Sequence, residues 1–272
     1  LLGSHCKKDS NLWIFGAKVG EKFADNPMYL YKYVILKNKN IRAIWIANND
    51  LVIKEVQNAG GEAYKVLSLK SLKYILRAKV YVFSHDLDGD IRVYDDRETL
   101  FINLWHGMPI KKIVYDDQTS KEVTSIFHKI HRLVRVEILK FKDARDLGNI
   151  ICSTSEYTRE MMVSAFRNKN VLITGQPRED IIYNEIKNDN YFMHVKKDKN
   201  QKLILYMPTH RGWGKIQTKN IFENIEFTNQ LIDYCKLNGC IFAIKYHPNE
   251  KMIKKTVLDE YVLDISDLNV DV

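Results

Sequence analysis

The sequence predicts an α/β fold that is built on parallel sheets and divided into two domains. Short runs rich in β-branched and aromatic residues alternate with helical patterns, which is typical of a parallel sheet covered by helices on both faces. A polar stretch over residues 187–202, rich in Asn, Asp and Lys, interrupts this alternation. The 272 residues are 45% hydrophobic, enough to bury a large core. We therefore expect a first domain over residues 1–190 and a second over residues 200–272.

Seven strands are predicted in the first domain, and each ends at a polar or glycine-containing loop. They are Leu12–Phe15, Ile41–Ile46, Ala63–Val66, Val80–Ser84, Leu100–Trp105, Ile150–Ser153 and Val171–Thr174. Between the first two we expect a helix over Asn26–Lys37, which begins near Asp25 and Pro27. The second domain is predicted to contain strands Leu203–Met207, Ile241–Tyr246 and Tyr261–Leu263 and helices near Ile221–Leu237 and Glu250–Leu258.

The formal net charge of +8 indicates an acidic partner. No zinc-finger spacing or RNP-like aromatic run indicates nucleic acid, so a phosphate-rich substrate or an anionic membrane surface fits better. The densest basic stretch is Lys129–Lys142. Its pattern predicts either a helix that lies at a membrane interface or an ordinary amphipathic helix packed on a core. The sequence has no apolar run long enough to span a membrane and no signal peptide, and its four cysteines have no CxxC pairing. These features are typical of a cytosolic protein with reduced thiols.

The most informative segment is the loop that follows the predicted strand Leu100–Trp105. There His106 is followed by Gly107, which lets other atoms approach the backbone closely, and by Lys111 and Lys112. Chemical groups in α/β folds lie at such strand ends, and this pattern predicts a base beside an anion site. A lone His-Gly pair would also fit a buried structural histidine.

Three further loops after predicted strands carry groups that suit phosphate oxygens. Each loop alone would also fit an ordinary turn, but together they predict a nucleotide site in a cleft between two α/β domains. The residues concerned are Gly175 and Arg178 in the first loop, Thr209 and Arg211 in the second, and His247 and Pro248 in the third.

These segments resemble motifs of the CDP-glycerol glycerophosphotransferase family, which includes teichoic acid and capsule polymerases and primases. LWHGMPIKK, with Asp116 a few residues on, is similar to the family's WHGTPLKK-type motif. TGQPRED, YMPTHRG and KYHP follow in the family's order, and the N-terminal WIFGAKVGEKFADNPMYLYKY resembles its opening. The resemblance spans nearly the whole chain. It implies a GT-B-like fold, in which two Rossmann-like domains face each other across a cleft.

The resemblance also implies a role for each matching residue. His106 would be the general base for an acceptor hydroxyl, and Asp116 would orient His106 or the acceptor. The attack would be in line at the donor's β-phosphate and would release CMP without a metal or other cofactor. Arg211 and His247 would hold the donor's pyrophosphate and stabilise the leaving group. The remaining donor-binding residues would be Gly175, Arg178, Thr209 and Pro248, whereas Gly107, Lys111 and Lys112 would bind acceptor or phosphate.

The chain departs from the family pattern in three places. Met108 stands where the family usually has threonine, and His210 where it usually has an aromatic residue. Family members also continue beyond a segment like Asp264–Val272 into a TDYSS-type motif that helps to bind donor phosphates. We therefore expect the C-terminal domain of this chain to be incomplete. The donor polyol, the acceptor, the oligomeric state and the choice between priming and polymerisation stay open.

Two other functions remain as alternatives to a CDP-polyol transferase. Asp86 and Asp88 follow the predicted strand Val80–Ser84 and could hold a divalent metal in a nucleotide-sugar glycosyltransferase, or could belong to a solvated acidic turn. The second alternative is a non-catalytic module that binds polyanions or lipid surfaces through Lys129–Lys142. For the transferase, the expected acceptor is a lipid-linked or polymeric glycan, and the expected location is the inner face of a bacterial membrane, bound peripherally.

Overall fold

The computed structural model describes residues 6–92, 94, 98–117, 150–183, 200–208, 224–246 and 259–266. The chain separates into two compact units, Leu1–Glu185 and Ile186–Val272. The expected Lys129–Lys142 helix and the expected Glu250–Leu258 helix lie outside the described residues. Within the described ranges, no helix is both long enough and apolar enough to cross a membrane.

The first unit is built on a seven-stranded sheet in which every neighbouring pair is parallel. The spatial order is β3-β2-β1-β4-β5-β6-β7. This confirms the predicted parallel sheet, and each predicted strand is found with ends that differ by no more than three residues. The strands are β1 Asp9–Phe15, β2 Arg42–Ala47, β3 Glu62–Lys65, β4 Ala78–Phe83, β5 Leu100–Asn103, β6 Ile150–Ser153 and β7 Val171–Ile173.

Short helices follow several of these strands, and side-chain caps fix where they begin. The α-helices are α1 Asp25–Lys37, α2 Asp50–Asn58, α3 Leu69–Arg77, α4 Leu87–Asp90, α5 Glu156–Phe166 and α6 Asp180–Tyr183. Asn49, Ser68 and Ser155 each accept a hydrogen bond from a backbone N–H in the first turn of the next helix. These caps hold the loops after β2, β3 and β6 in fixed conformations, so the carboxyl edge of the sheet is well defined.

Both faces of the sheet are buried, as a parallel sheet covered by helices requires. Side chains alternate along β1, so that Phe15 packs in the cluster on one face and Ile14 in the cluster on the other. On the first face, Tyr31 of α1 makes edge-to-face contacts with Phe15 and Trp45, with ring centroids 5.2 and 5.7 Å apart. This aromatic cluster anchors the start of α1 against the sheet.

The second unit contains a three-stranded parallel sheet in the order β10-β9-β8. Its strands are β8 Lys202–Tyr206, β9 Cys240–Ile244 and β10 Val262–Asp264. The helix α7, Ile225–Leu237, begins after Asn224, whose side chain accepts from the backbone N–H of Phe227 at 3.1 Å. The predicted second α/β series is therefore present in the described part of this unit.

We predict that Gly16→Ala destabilises the fold, because a Cβ at Gly16 would lie 2.4 Å from the backbone oxygen of Asp90. Neither backbone can move without distorting the end of β1 or α4, so we expect the free energy of unfolding to fall by about 1–3 kcal/mol. Urea denaturation measures this change.

Gly107→Ala is the matched control for this substitution. A Cβ at Gly107 would meet no described atom within 4 Å, and the residue does not have a positive φ. Equal losses of stability in the two variants would contradict the assignment of close packing to Gly16.

Candidate active site

The sequence-predicted histidine lies at the carboxyl edge of the seven-stranded sheet. Ser84 and His85 follow β4, His106 follows the adjacent strand β5, and Gly175 follows β7. Because all seven strands are parallel, their following loops meet at one edge, which is where α/β proteins bind ligands.

The imidazole ring of His106 is held between two aromatic neighbours. It stacks face to face on His85, with ring centroids 4.0 Å apart and an interplanar angle of 8°. Its other ring neighbour is Trp105, with ring centroids 4.2 Å apart and an interplanar angle of 40°. The His106 Nδ1 lies 3.3 Å from the carbonyl oxygen of Ser84. Because that oxygen can only accept, this contact assigns the hydrogen to Nδ1 and leaves the lone pair of Nε2 available.

The surroundings keep His106 neutral near pH 7. Burial lowers the pKa of His106 to about 4, and the neighbouring His85 acts in the same direction. Burial also lowers the pKa of His85, and the nearby Lys18 adds to this effect. A neutral imidazole with a free Nε2 is the form in which a histidine can accept a proton.

Arg178 joins the His106 loop to the start of α1. Its guanidinium donates to the carboxylate of Asp25 and, at 2.5 Å, to the backbone oxygen of His106. Its backbone N and Nε both donate to Oδ1 of Asn26, at 3.2 and 3.3 Å. We call Asp25, Asn26 and Arg178, with the carbonyls of residues 105 and 106, the Arg178 cluster. Asp25 and Asn26 are almost fully buried.

The Arg178 cluster also fixes the strained turn after β5. Trp105 has a φ of 54°, in the left-handed region that is costly for a non-glycine residue. Its backbone oxygen accepts from Nδ2 of Asn26 at 2.8 Å, and its backbone N donates to Oδ1 of Asn103 at 2.9 Å. These bonds compensate the strain and determine the position of the next residue, His106.

A buried carboxylate organises the other side of the His106 ring. Asp90 accepts backbone hydrogen bonds from Val19 at 3.0 Å, Ser84 at 3.0 Å and His85 at 2.9 Å. Burial raises the pKa of Asp90, and its three backbone bonds oppose this rise. Through these bonds Asp90 holds both Ser84 and His85 beside His106.

The acidic turn that suggested a metal site has a local structural role. Asp86 accepts from the backbone N–H of Gly89 at 2.6 Å and so caps α4, whose last residue is Asp90. Within the described ranges, no group of three or more His, Cys, Asp and Glu side chains is arranged to hold a metal ion. These contacts favour the structural-turn interpretation of Asp86 over a metal ligand.

The other predicted site residues of the first unit lie in open positions. Gly107 and Gly175 have no described atom within 4 Å of a built Cβ, and Gly175 has a φ of 74°, which favours glycine. Lys111 and Lys112 are exposed. Asp116 ends a 3-10 turn, Val114–Asp116, and among the described residues no hydrogen bond joins its side chain to His106.

The predicted donor-binding residues of the second unit are outside the described ranges. They are Thr209, Arg211, His247 and Pro248. Their assignment to the donor site therefore stays a prediction.

Sequence reasoning did not assign a role to several residues that build this site. His85, Asp90, Asp25 and Asn26 each contact the His106 loop or its supports. The sequence around these residues was ambiguous. His85 and Asp90 lie in an acidic stretch that indicates a turn, and Asp25 and Asn26 indicate only the start of a helix. The contact of Arg178 with Asp25 joins residues 153 positions apart and has no local pattern.

The family is defined by comparison with known proteins. Residues 2–271 match the family described as CDP-Glycerol:Poly(glycerophosphate) glycerophosphotransferase, and the chain belongs to this family. This confirms the resemblance found in the motifs.

Relatives include enzymes named for two different polyol phosphates. The chain is 27% identical over 278 residues to a teichoic acid poly(glycerol phosphate) polymerase of Bacillus spizizenii, covering 96% of the chain and 66% of the relative. It is 27% identical over 216 residues to the teichoic acid ribitol-phosphate polymerase TarL of Staphylococcus aureus, covering 72% of the chain and 34% of the relative. The chain thus spans less than two thirds of the length of these relatives.

A solved structure shares the fold. The wall teichoic acid polymerase TagF matches with a TM-score of 0.71 at 19% identity, covering 96% of this chain and 63% of TagF. A TagF variant in which asparagine replaces a histidine, soaked with CDPG, matches equally well, with a TM-score of 0.71. At this identity the match establishes the α/β fold.

We predict that Arg178→Gln destabilises the protein, because it leaves the buried Asp25 carboxylate without its guanidinium partner. Arg178 is partly exposed and Lys18 Nζ lies 3.6 Å from the same carboxylate, so we expect a loss of about 2 kcal/mol. A double-mutant cycle with Asp25→Asn, followed by urea denaturation, measures the coupling. We expect the double variant to lose less free energy of unfolding than the two single variants lose in total.

Arg42→Gln is the matched control for Arg178→Gln. The Arg42 guanidinium also binds a carboxylate, that of Glu62 at 2.7 Å, but the two side chains are 50% and 30% exposed, so neither is buried as Asp25 is. We expect a loss below about 1 kcal/mol there. A loss as large as that of Arg178→Gln would contradict the importance of burial for the Arg178 cluster.

We also predict that acid weakens the fold through His106. The folded-state pKa of about 4 lies below the ordinary histidine pKa of 6.5, so between these two pH values the unfolded chain binds more protons than the folded chain. The stability contribution is therefore present above pH 6.5 and is lost as the pH falls towards 4, with a maximum of about 3 kcal/mol.

Urea denaturation from pH 7 to pH 4.5 measures this slope. His106→Gln should flatten it, and the part that remains belongs to His85 and other titrating groups. An identical slope in the wild type and in His106→Gln would contradict the lowered pKa of His106.

Proposed function

We propose that this chain is part of an enzyme that transfers glycerol phosphate, or a related polyol phosphate, from a CDP-activated donor to a teichoic acid or capsule-type acceptor. The observation that carries this proposal is the His106 ring, which is neutral near pH 7, hydrogen-bonded at Nδ1 and without a hydrogen bond at Nε2 among the described residues. Family membership supports the substrate class, and the CDPG soak of TagF supports the donor class.

The proposed reaction is a phosphoryl transfer that uses His106 as general base. Nε2 of His106 takes the proton of an acceptor hydroxyl while the hydroxyl oxygen attacks the β-phosphorus of the CDP-polyol in line. The new bond joins the acceptor oxygen to that phosphorus. The bond from phosphorus to the bridging oxygen breaks, and this oxygen leaves with CMP. The polyol phosphate stays on the acceptor.

The proposed donor site contains Gly175, Thr209, Arg211, His247 and Pro248. The open backbone at Gly175 can approach phosphate oxygens closely, and arginine and histidine can stabilise the charge that develops on the leaving CMP. Arg178 completes the set, but its guanidinium already binds Asp25 and the His106 carbonyl. We assign its contribution to holding the pocket wall.

The proposed acceptor side contains Gly107, Lys111, Lys112 and Asp116. The two exposed lysines can bind phosphates of a growing polymer, which is itself a polyanion. The space beside Gly107 lets the acceptor hydroxyl come close to His106. Asp116 acts on the acceptor in this scheme, since no hydrogen bond joins it to His106 among the described residues.

The domain organisation and location are parts of the same proposal. Residues 1–190 form the acceptor-side Rossmann-like domain and residues 200–272 belong to the donor-side domain of a GT-B-like enzyme. The protein works at the inner face of a bacterial membrane, where a lipid-linked or polymeric glycan is the acceptor. Lys129–Lys142 and the net charge of +8 support attraction to an anionic lipid surface.

We predict that release of CMP from CDP-glycerol, with membrane acceptor present, requires His106. The protein used is the longest natural form that contains this chain, because the relatives extend beyond the matched region. Loss of a general base should lower kcat by about 100-fold or more in His106→Ala. Leu36→Ala, which changes an exposed side chain on α1, is the control and should keep full activity.

Other outcomes identify other functions. Activity that EDTA abolishes would favour the metal-dependent glycosyltransferase that the Asp86 and Asp88 pair suggested. Binding to anionic vesicles without CMP release from CDP-glycerol or CDP-ribitol would favour the non-catalytic module. Equal CMP release by the wild type and His106→Ala would contradict the proposed base.

A further inference from the structure

His85 is a partly buried titratable residue that the proposed reaction does not use. It follows β4 directly, and its ring lies parallel to that of His106 with the ring centroids 4.0 Å apart. The angle of 8° between the rings is smaller than in the other stacked aromatic pairs of the described residues, which lie at 25–30°. The parallel contact therefore belongs to the local construction of the site.

The protein fixes the His85 ring through its own backbone and side chains. The backbone N–H of His85 donates to the buried Asp90 carboxylate at 2.9 Å. The His85 Nδ1 lies 3.2 Å from Oγ of Ser84, and the carbonyl of the same Ser84 binds Nδ1 of His106 at 3.3 Å. One residue, Ser84, thus contacts both imidazole rings, and Asp90 holds Ser84 in place at 3.0 Å.

We infer that His85 is a positioning residue for His106: its stacked ring holds the His106 imidazole in the plane where Nδ1–H meets the Ser84 carbonyl, and so keeps Nε2 as the proton acceptor. The catalytic consequence rests on the proposed function. The arrangement of the two rings is independent of it.

The charge state of the His85 ring also affects the pKa of His106. Two imidazolium rings at this distance repel each other, so a proton on His85 disfavours a second proton on His106. The lowered pKa of His106 is consistent with this effect, although burial is its largest cause. The charged groups around the pair are Lys18 from the 3-10 turn after β1, Asp25 from α1, Asp86 and Asp90 around α4, and Arg178 through the His106 carbonyl.

The test follows the His106 ring by NMR in protein labelled with 15N-histidine. The imidazole 15N shifts report which ring nitrogen carries the hydrogen, and the loss of signals in His106→Gln assigns them. His85→Phe keeps a flat ring at the stack but removes its charge. We expect the His106 titration midpoint to rise by about one pH unit in this variant, with the Nδ1–H tautomer retained.

His85→Ala removes the ring and tests positioning. We expect the 15N shifts of His106 to move towards the averaged values of a ring that exchanges between tautomers. In the CMP-release assay at pH 8, kcat should fall about tenfold with little change in KM, because the base is present but less often oriented. Phe166→Leu is the control, since Phe166 packs on Trp105 with ring centroids 4.9 Å apart and carries no titratable group.

Two results would overturn the inference. One is an unchanged His106 titration in His85→Phe, and the other is a single, unchanged Nδ1–H tautomer in His85→Ala. Failure of the proposed function gives a different result. In that case the NMR changes occur as expected, but the acid limb of kcat/KM for CMP release does not follow the His106 titration, or no CMP is released.

Discussion

The contact between the buried Asp25 carboxylate and the partly exposed Arg178 guanidinium determines the geometry of the candidate site. It joins the first turn of α1 to the loop after β7 across 153 positions of sequence, and the same guanidinium binds the His106 carbonyl. A buried ion pair is expensive to desolvate and is weak evidence for stability in itself. The geometry gives a reason why this ion pair is present. Apolar residues of similar size could not bind the carbonyl oxygen of His106 in the strained turn.

The site is supported from two sides that share no residue. The Arg178 cluster fixes the backbone of Trp105 and His106, whereas Asp90 fixes the backbone of Ser84 and His85 on the neighbouring strand end. The rings of His85 and His106 meet between these supports. Because side-chain hydrogen bonds hold the backbone on both sides, these supports bring the two rings into contact.

The strands, the parallel sheet and the position of His106 were predictable from sequence, because each depends on local patterns of apolar residues and turn residues. Leu100–Asn103 reads as a strand from its own residues, and a histidine after it must lie at the carboxyl edge. The partners of His106 were not predictable in this way. Asp90 resembled a solvated acidic turn, whereas in the structure its carboxylate is buried and binds the backbone of Val19, Ser84 and His85.

Rigid and open positions around His106 have different roles in the proposed function. The supports of His106 are buried side chains that act on backbone groups, so they are independent of the substrate. Gly107 and Gly175, in contrast, have no described atom within 4 Å of a Cβ built there, and Lys111 and Lys112 are exposed. In the proposed function, the contacts to polyol or acceptor can therefore change at Gly107 and the two lysines without disturbing His106, since a side chain at Gly107 meets no described atom, whereas the φ of 74° at Gly175 favours glycine.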